Sequence, residues 1–219
     1  MTIALSVLGA SGKMGKRIVE LALNDPIFRS VTASNLETCD VAIDFTSHEA
    51  THNHLVSAIG ANKPLVIGTT GHNPEGRKAI EEAAKTIPIL FSPNFSFGMA
   101  LCLEMAARLG RALYGSCTIN IVETHHIHKK DRPSGTALAL AHAISNGAGC
   151  KKEEILIHSI RTGEVVGEHT VIFESGFERI ELKHTAHSRD AFAHGALMGA
   201  KFLVKQPPGL YSLKDLFKA

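Results

Sequence analysis

Apolar runs alternate with helical patterns from residue 3 to residue 91, and this alternation restricts the fold. Strand-like runs occupy residues 3–8, 28–34, 41–45, 64–67 and 87–91. Segments with helical spacing separate most of them, and Pro26 ends the first helix because proline cannot continue it. Strands that alternate with helices build a parallel sheet with helices on both faces. The pattern predicts a Rossmann-like α/β domain.

The pattern changes after residue 96. A helix over 97–113 precedes a strand over 118–124, and a second helix is predicted near 136–144. Three strand-like segments follow without helices, at 155–161, 165–174 and 179–186. Turns at Thr162-Gly163 and Ser175-Gly176 join them, which predicts antiparallel hairpins. We therefore expect a second, α+β domain with an open mixed sheet, followed by a last helix over 190–204.

Composition and charge exclude several classes of protein. The 23 basic and 21 acidic residues leave a net charge of only +2, which argues against a general nucleic-acid binder. No apolar run approaches the ~20 residues of a membrane helix, and no basic leader precedes the first strand. The four cysteines form no C-x-x-C pair. We expect a cytoplasmic protein with reduced thiols and no membrane or nucleic-acid partner.

A glycine-rich turn follows the first strand and opens the first helix. Gly9, Gly12 and Gly15 have the spacing G-x-x-G-x-x-G. Such a turn lets backbone N–H groups approach a pyrophosphate at the positive end of the helix dipole. The alternative is a tight turn that binds nothing. A P-loop is excluded, because no Gly-Lys-Ser/Thr occurs at the required spacing.

Two more turns follow the fourth and fifth strands, at residues 68–71 and 93–96. In an open α/β sheet, ligands bind at the carboxyl ends of the strands. Small and hydroxylated residues at this edge suit a nicotinamide ribose and ring, although each turn alone could be only a turn.

Histidines and cations are densest in residues 123–136, which leave a strand and enter a helix. The helix start at Ser134-Gly135-Thr136 can bind a carboxylate, and Lys129 or Lys130 can add a cation. A histidine beside a lysine suits protonation of an intermediate formed by hydride addition. Zinc ligation and a merely solvated loop are the alternatives, but no H-E-x-x-H helix accompanies the histidines. We expect no metal.

These motifs together resemble the 4-hydroxy-tetrahydrodipicolinate (dihydrodipicolinate) reductase family over nearly the whole chain. The most specific part is His125-His126-Ile127-His128-Lys129 followed by Ser134-Gly135-Thr136. The resemblance implies reduction of 4-hydroxy-tetrahydrodipicolinate to tetrahydrodipicolinate and water with NADH or NADPH, in lysine and diaminopimelate biosynthesis. It also implies a homotetramer built through the second domain's sheet, and a small dicarboxylate as substrate.

The resemblance also assigns residues and domain limits. His125 would donate or accept a proton, Lys129 would donate one, His126 would contact the substrate, and Gly135 and Thr136 would seat a carboxylate. The dinucleotide would be held by three groups of residues: Gly9, Ala10, Ser11, Gly12, Lys13 and Met14; Gly68, Thr69 and Thr70; and Pro93, Asn94, Phe95 and Ser96. Residues 1–95 with 205–219 would form the nucleotide domain, and residues 96–204 the substrate and oligomerisation domain.

The chain departs from the family in its first domain. Only about ten residues separate Ser34 from Asp44, so a strand–helix segment is missing. No acidic residue stands about 20 residues beyond the glycines, where one would bind the ribose hydroxyls of NAD. Cations at Lys13, Lys16, Arg17 or Arg29 could favour NADPH.

Two other functions remain open from the sequence alone. The shortened first domain would suit a dinucleotide-binding regulatory protein without turnover, although the histidine–lysine segment is intact. A metal-dependent hydrolase built on the histidine cluster is the third hypothesis.

Overall fold

A computed structural model describes residues 2–217, which form two compact units. The first unit contains the chain up to Phe97 and again from Asp190 onward, and the second unit contains Gly98–Arg189. None of the described helices combines the length and the apolar character needed to span a bilayer.

The first unit is built on a six-stranded parallel sheet. Its strands are β1 (Ile3–Leu8), β2 (Phe28–Ala33), β3 (Val41–Asp44), β4 (Leu65–Ile67), β5 (Pro88–Phe91) and β10 (Gly209–Tyr211). They lie in the order β10-β5-β4-β3-β1-β2, and every pairing is parallel. All six residues of β1 are buried, as expected for a strand covered on both faces. The predicted Rossmann-like sheet is confirmed, and the tail returns to it as β10.

Four helices accompany this sheet: α1 (Lys13–Leu23), α2 (His48–Gly60), α3 (Pro74–Ala83) and α6 (Asp190–Leu203). Helix α3 begins where the sequence predicts, because the Asn73 side chain accepts a hydrogen bond from the Gly76 N–H (2.8 Å) and Pro74 takes the first helical position. Residues of β3, β4 and β5 share one buried apolar cluster with α2 and α3.

Helix α6 lies in the first unit, whereas the sequence-based limits of 96–204 placed it in the second. It packs against α1, β3, β4 and β5. Small residues make this close approach possible: a Cβ at Gly195 would lie 1.8 Å from the Phe95 carbonyl oxygen. An ion pair between Lys201 and Asp25 (2.5 Å) also joins α6 to this unit. The domain limit is corrected accordingly.

The second unit has a four-stranded mixed sheet with two helices. Its strands are β6 (Thr118–His125), β7 (Leu156–Arg161), β8 (Gly167–Glu174) and β9 (Arg179–Ala186), in the order β7-β6-β8-β9. Apolar residues of β6 and β8 form a core with α4 (Phe97–Leu113) and α5 (Gly135–Ala148). Short 3-10 helices lie at Lys152–Glu154 and Leu213–Phe217, the latter in the first unit. The α+β prediction is confirmed.

One predicted hairpin is wrong. Strand β7 does not pair with β8; it pairs in parallel with β6, from Asn120 opposite Leu156 to His125 opposite Arg161. The reason is the helix α5, which forms a crossover between β6 and β7 and so returns the chain in the same direction. The hairpin between β8 and β9 is antiparallel, as predicted.

Candidate active site

The glycine turn lies between β1 and α1 and has the geometry of a phosphate-binding loop. Gly9 adopts a φ of 81°, which glycine tolerates without strain. Gly15 packs so closely on the turn that a Cβ there would lie 2.0 Å from the Gly9 carbonyl oxygen. Gly12 is the N-cap of α1 and supplies no side-chain capping bond. The N–H groups of the first helical turn have no acceptor within the helix, so this end suits an anion.

A buried carboxylate at the end of β3 holds the neighbouring turns together. Asp44 Oδ1 accepts hydrogen bonds from the Thr46 hydroxyl (2.6 Å) and the Thr69 hydroxyl (3.3 Å). Its Oδ2 lies 2.9 Å from Nδ1 of His54. Thr69 is thereby fixed and buried, whereas its neighbour Thr70 is exposed.

Residues from all three predicted cofactor-binding turns meet around one open cavity of about 280 Å³. The cavity is lined by Met14, Phe45, Gly68, Pro93, Asn94, Phe95 and Phe192. Gly68 lies under the Phe45 ring, where a Cβ would approach to 2.1 Å. A cavity with apolar walls at the carboxyl edge of the sheet fits a flat ring attached to the phosphates. Ser96 is buried beside it, with its N–H donated to Asn94 Oδ1 (2.8 Å).

Residues 32–35, at the end of β2, carry no charged side chain. Ser34 follows the strand with a φ of 57°, and the Asn35 side chain accepts the N–H groups of Glu37 (3.1 Å) and Thr38 (3.4 Å). Lys16 lines a cleft beside Thr32 and Ala33.

Two of the four predicted phosphate-binding cations are engaged elsewhere. Arg17 Nε lies 2.5 Å from Asp190 Oδ1, and Arg29 Nη2 lies 3.0 Å from Asp40 Oδ2. Lys13 and Lys16 are exposed, and no carboxylate within residues 2–217 forms an ion pair with either. Of the four predicted cations, Lys13 and Lys16 are therefore the two without an ion-pair partner among the described residues.

The catalytic candidates of the second unit begin on β6. Alternate residues of this strand face inward, so Glu123 and His125 are buried on the face that also buries Ile121. Glu123 Oε2 forms a hydrogen bond with His125 Nδ1. Burial lowers the pKa of His125 despite this partner, and the charge of Lys129 lowers it further. Burial therefore favours the neutral form of His125.

Arg161 completes this buried pair from the neighbouring strand. Its Nη2 lies 2.7 Å from Glu123 Oε1, and its side chain is 2% exposed. Burial alone would raise the pKa of Glu123, but hydrogen bonds from Arg161, Ser159 and His125 outweigh it and lower the pKa to about 2. Glu123 is ionised throughout the physiological range.

His169 of β8 lies opposite Glu123 in register and meets the His125 ring edge to face at 5.1 Å between centroids. Its Nε2 is 3.1 Å from the Ser134 hydroxyl, and burial lowers its pKa to about 4. Ser134 in turn caps α5 by accepting the Ala137 N–H (3.2 Å). The two buried histidines are thus connected to the start of α5.

The other predicted residues lie on the loop between β6 and α5. Lys129 Nζ is 2.9 Å from Asp131 Oδ1, which lowers the pKa of that carboxyl. His126 is half-buried, with its ring 6.2 Å from that of His128. Gly135 and Thr136 form the first turn of α5, and Gly135 is exposed. The prediction missed Glu123, Arg161 and His169, although the i, i+2 spacing of Glu123 and His125 on a strand indicates a shared face.

Three of these side chains could be considered as metal ligands. One ligand atom each from Glu123, His125 and His169 lies within 4.8 Å of the others. However, Glu123 already forms an ion pair with Arg161 through one oxygen and a hydrogen bond with His125 through the other. A metal ion would have to break the hydrogen bond between Glu123 and His125, and it would share the Glu123 carboxylate with the Arg161 guanidinium. This arrangement suits proton transfer better than metal binding.

A glycine turn on a parallel sheet, with a buried histidine in a second unit, defines the class of dinucleotide-dependent oxidoreductases. The protein-family model described as "Dihydrodipicolinate reductase, N-terminus" matches residues 26–95 of this chain. The family model described as "Dihydrodipicolinate reductase, C-terminus" matches residues 98–217. The chain belongs to the dihydrodipicolinate reductase family. Enzymes of this family reduce 4-hydroxy-tetrahydrodipicolinate with NADH or NADPH in lysine biosynthesis, and their N-terminal domain binds the dinucleotide.

Individual relatives agree with this assignment. The chain is 41% identical to 4-hydroxy-tetrahydrodipicolinate reductase of Akkermansia muciniphila, over 98% of this chain and 97% of the relative. It is 40% identical to the 4-hydroxy-tetrahydrodipicolinate reductase of Caldanaerobacter subterraneus, over 100% of this chain and 99% of the relative. The structure of a dipicolinate-bound dihydrodipicolinate reductase from Paenisporosarcina sp. TG-14 has the same fold, with a TM-score of 0.85, 23% identity, and coverage of 98% and 99%.

Proposed function

We propose that this chain reduces 4-hydroxy-tetrahydrodipicolinate to tetrahydrodipicolinate, with the first unit binding NADH or NADPH and the second unit binding the substrate. One proton and the dinucleotide's hydride are consumed, and one water is released. The dicarboxylate class of the substrate agrees with the dipicolinate named for the structural relative. The observation that carries the proposal is the buried Glu123–His125 pair on β6, with Lys129 close enough for its charge to act on His125.

The residues of the first unit fit a dinucleotide. The turn from Gly9 to Met14 has the positive φ and the close helix contact that such a turn requires, and a side chain at Gly15 would fill the space. When bound, the cofactor supplies the hydride. Met14, Gly68 and residues 93–96 would orient its ring, while Ala10, Ser11, Gly12 and Lys13 would meet the phosphates; Thr69 and Thr70 would contact the ribose.

The residues of the second unit handle the proton and the carboxylates. Lys129 would donate the proton, and His125 would exchange one through its imidazole. His126 would contact the substrate from the same loop. The first-turn N–H groups at Gly135 and Thr136 would bind a carboxylate at the positive end of the α5 dipole.

The proposal extends to assembly and location. Leu156 and Ile160 of β7 are 58% and 47% exposed on one face of the second sheet, which supports its use as an interface in a homotetramer. The solution mass measured by light scattering tests this assembly. All four cysteines are free thiols, which supports a cytoplasmic location.

Enzymatic reduction provides the direct test. The substrate is generated from pyruvate and aspartate semialdehyde with the preceding enzyme, and loss of reduced-dinucleotide absorbance is followed after adding this protein. Turnover that requires both the substrate and the protein supports the proposal. No turnover with either NADH or NADPH, by protein that binds dinucleotide, contradicts it.

Cofactor choice follows from the end of β2. Because Ser34 and Asn35 carry no charge that repels a 2′-phosphate, and neither Lys13 nor Lys16 forms an ion pair in the described part of the chain, we expect NADPH to be used at least as well as NADH. The ratio of kcat/KM for the two cofactors measures this. A preference for NADH above about tenfold, or ~1.4 kcal/mol, would mean that another acid, such as Glu37, binds the ribose.

Replacing Gly135 by valine is expected to weaken substrate binding while the fold stays intact. A Cβ at Gly135 would meet no heavy atom within 4 Å, so the protein itself tolerates a side chain. The valine would instead obstruct the approach of a carboxylate to the first turn of α5. The substrate KM measures the effect. Gly176→Ala is a suitable control, because a Cβ there meets no heavy atom within 4 Å. Gly149→Ala is not, because Gly149 has a φ of 71°, which strains a residue with a side chain. An unchanged KM would place the carboxylate elsewhere.

A further inference from the structure

We propose that Glu123 is a positioning residue for His125: held by Arg161, its carboxylate fixes the imidazole so that Nε2 is the nitrogen that exchanges a proton with the substrate. This inference rests on the proposed function, in which His125 handles a reaction proton. It concerns which atom of His125 reacts and what keeps that atom in place.

The first step of the argument is the direction of the hydrogen bond. Glu123 is completely buried and ionised, so its oxygens can only accept hydrogen bonds. The bond between Glu123 Oε2 and His125 Nδ1 therefore requires the hydrogen on Nδ1. A neutral His125 then carries its lone pair on Nε2, and a charged His125 has its dissociable proton there.

The second step is that the carboxylate cannot turn away. Arg161 Nη2 donates to Glu123 Oε1 and to the Asp131 carbonyl, both at 2.7 Å, and its Nη1 donates to the Ile160 carbonyl at 2.7 Å. A buried guanidinium with this many partners is held in one orientation. It also ties the carboxylate to the loop that contains Lys129, whose carbonyl accepts from Arg161 Nε at 3.4 Å.

The third step is the space around Nε2. Gly167 lies beside it, and a Cβ at that position would approach His125 Nε2 to 3.0 Å. The absence of a side chain at Gly167 thus leaves room next to the reacting nitrogen. The charged or titratable groups that face His125 are Glu123 from β6, Lys129 from the following loop, Arg161 from β7 and His169 from β8.

The variant Glu123→Gln separates positioning from simple burial. A glutamine has one acceptor oxygen, whereas Arg161 and His125 Nδ1 both donate in the native protein. Whichever donor the amide oxygen accepts from, the amide NH₂ faces the other, so either the guanidinium loses its partner or the imidazole is driven to the opposite tautomer. Loss of the negative charge also removes the group that stabilises the imidazolium.

We expect kcat of Glu123→Gln to fall about 10²-fold or more, while the KM for the dinucleotide stays unchanged. The pH at which His125 titrates should move down by about one to two units, because a charge-assisted hydrogen bond to its protonated form is lost. The pH profile of kcat/KM measures the shift. Nitrogen chemical shifts of His125, measured by NMR, identify the tautomer independently of activity.

The matched control is Glu153→Gln, an exposed glutamate of the same unit, which should keep the wild-type kcat and pH profile. If Glu123→Gln does not fold, the double variant Glu123→Leu with Arg161→Met removes both buried charges together and leaves His125 Nδ1 without its acceptor, so it should show the same low kcat and the same shifted profile. Folded Glu123→Gln with wild-type kcat, profile and tautomer would overturn the proposal. Inactive wild-type protein would instead contradict the proposed function, and the tautomer measurement would still test Glu123.

Discussion

The variant Lys129→Ala is expected to lower kcat by about 10²–10⁴-fold, the usual contribution of a group that transfers a proton in the transition state. Lys129 lies on the loop after β6, and its charge acts on the buried His125. Because the cofactor-binding candidates all belong to the first unit, the affinity for the dinucleotide should not change. The loss should therefore appear in kcat rather than in the dinucleotide KM.

A loss of folding stability does not account for the expected fall in kcat of Lys129→Ala. The ion pair between Lys129 and Asp131 is largely exposed at its acidic end, where Asp131 is 56% exposed, and such pairs contribute about 1 kcal/mol at most. The Lys129 carbonyl that accepts from Arg161 is retained in the alanine variant. We therefore expect Lys129→Ala to unfold at nearly the wild-type temperature.

Two further variants give the result a specific meaning. Lys152→Ala removes an exposed cation elsewhere in the second unit and should leave kcat unchanged. Lys129→Arg keeps the charge but cannot release a proton, so it should remain nearly as slow as Lys129→Ala if Lys129 is the donor. Steady-state kinetics with saturating NADPH measure all three. A kcat for Lys129→Ala within tenfold of the wild type would remove Lys129 from the chemistry.

The first unit could be predicted almost entirely from the sequence, because local signals there agree with the tertiary fold. Strands β1, β3, β4 and β5 are short apolar runs, and the helix stop at Pro26 and the start at Asn73-Pro74 are set by backbone chemistry. The position of α6 could not be predicted in the same way. Its small residues allow close packing, but nothing in its own sequence says which sheet it packs against.

In the second sheet, the local sequence does not predict which strands pair. The turn Thr162-Gly163 has the composition of a hairpin, yet the Thr162 N–H bonds to the His125 carbonyl (2.9 Å) and the Ile127 N–H to the Gly163 carbonyl (3.2 Å). The turn therefore lies against the chain that leaves β6. Strand pairing is a long-range property, and here the α5 crossover decides it.

The residues of the candidate site also differ in how far the sequence can indicate them. A motif can indicate the residues that lie close together in the sequence, which are His125, His126, Lys129, Gly135 and Thr136. Their roles remain predictions. Arg161 and His169 reach the same place only through the pairing of β7 and β8 with β6. Contacts between residues this far apart in the chain require the sheet register, which the sequence pattern does not supply.

The variant Gly15→Ala is expected to damage dinucleotide binding in the first unit, and the reason is steric. Alanine normally stabilises a helix relative to glycine by up to about 1 kcal/mol. At Gly15, however, the added Cβ would lie 2.0 Å from the Gly9 carbonyl oxygen and 2.7 Å from the Ala10 Cα. These are backbone atoms of the proposed phosphate-binding turn, so the turn itself must move, at a cost of about 1–3 kcal/mol.

Because that displacement moves the N–H groups away from the phosphates, the Kd for NADPH should rise at least about tenfold, or ~1.4 kcal/mol. Gly60→Ala is the matched control: it also places an alanine in a helix of the first unit, but its Cβ meets no atom within 4 Å. This control should keep the wild-type Kd and be at least as stable. Calorimetric titration with NADPH and thermal unfolding measure both effects. A wild-type Kd in Gly15→Ala would mean that the turn after β1 does not bind the phosphates, since backbone atoms pressed by a new Cβ cannot keep their positions.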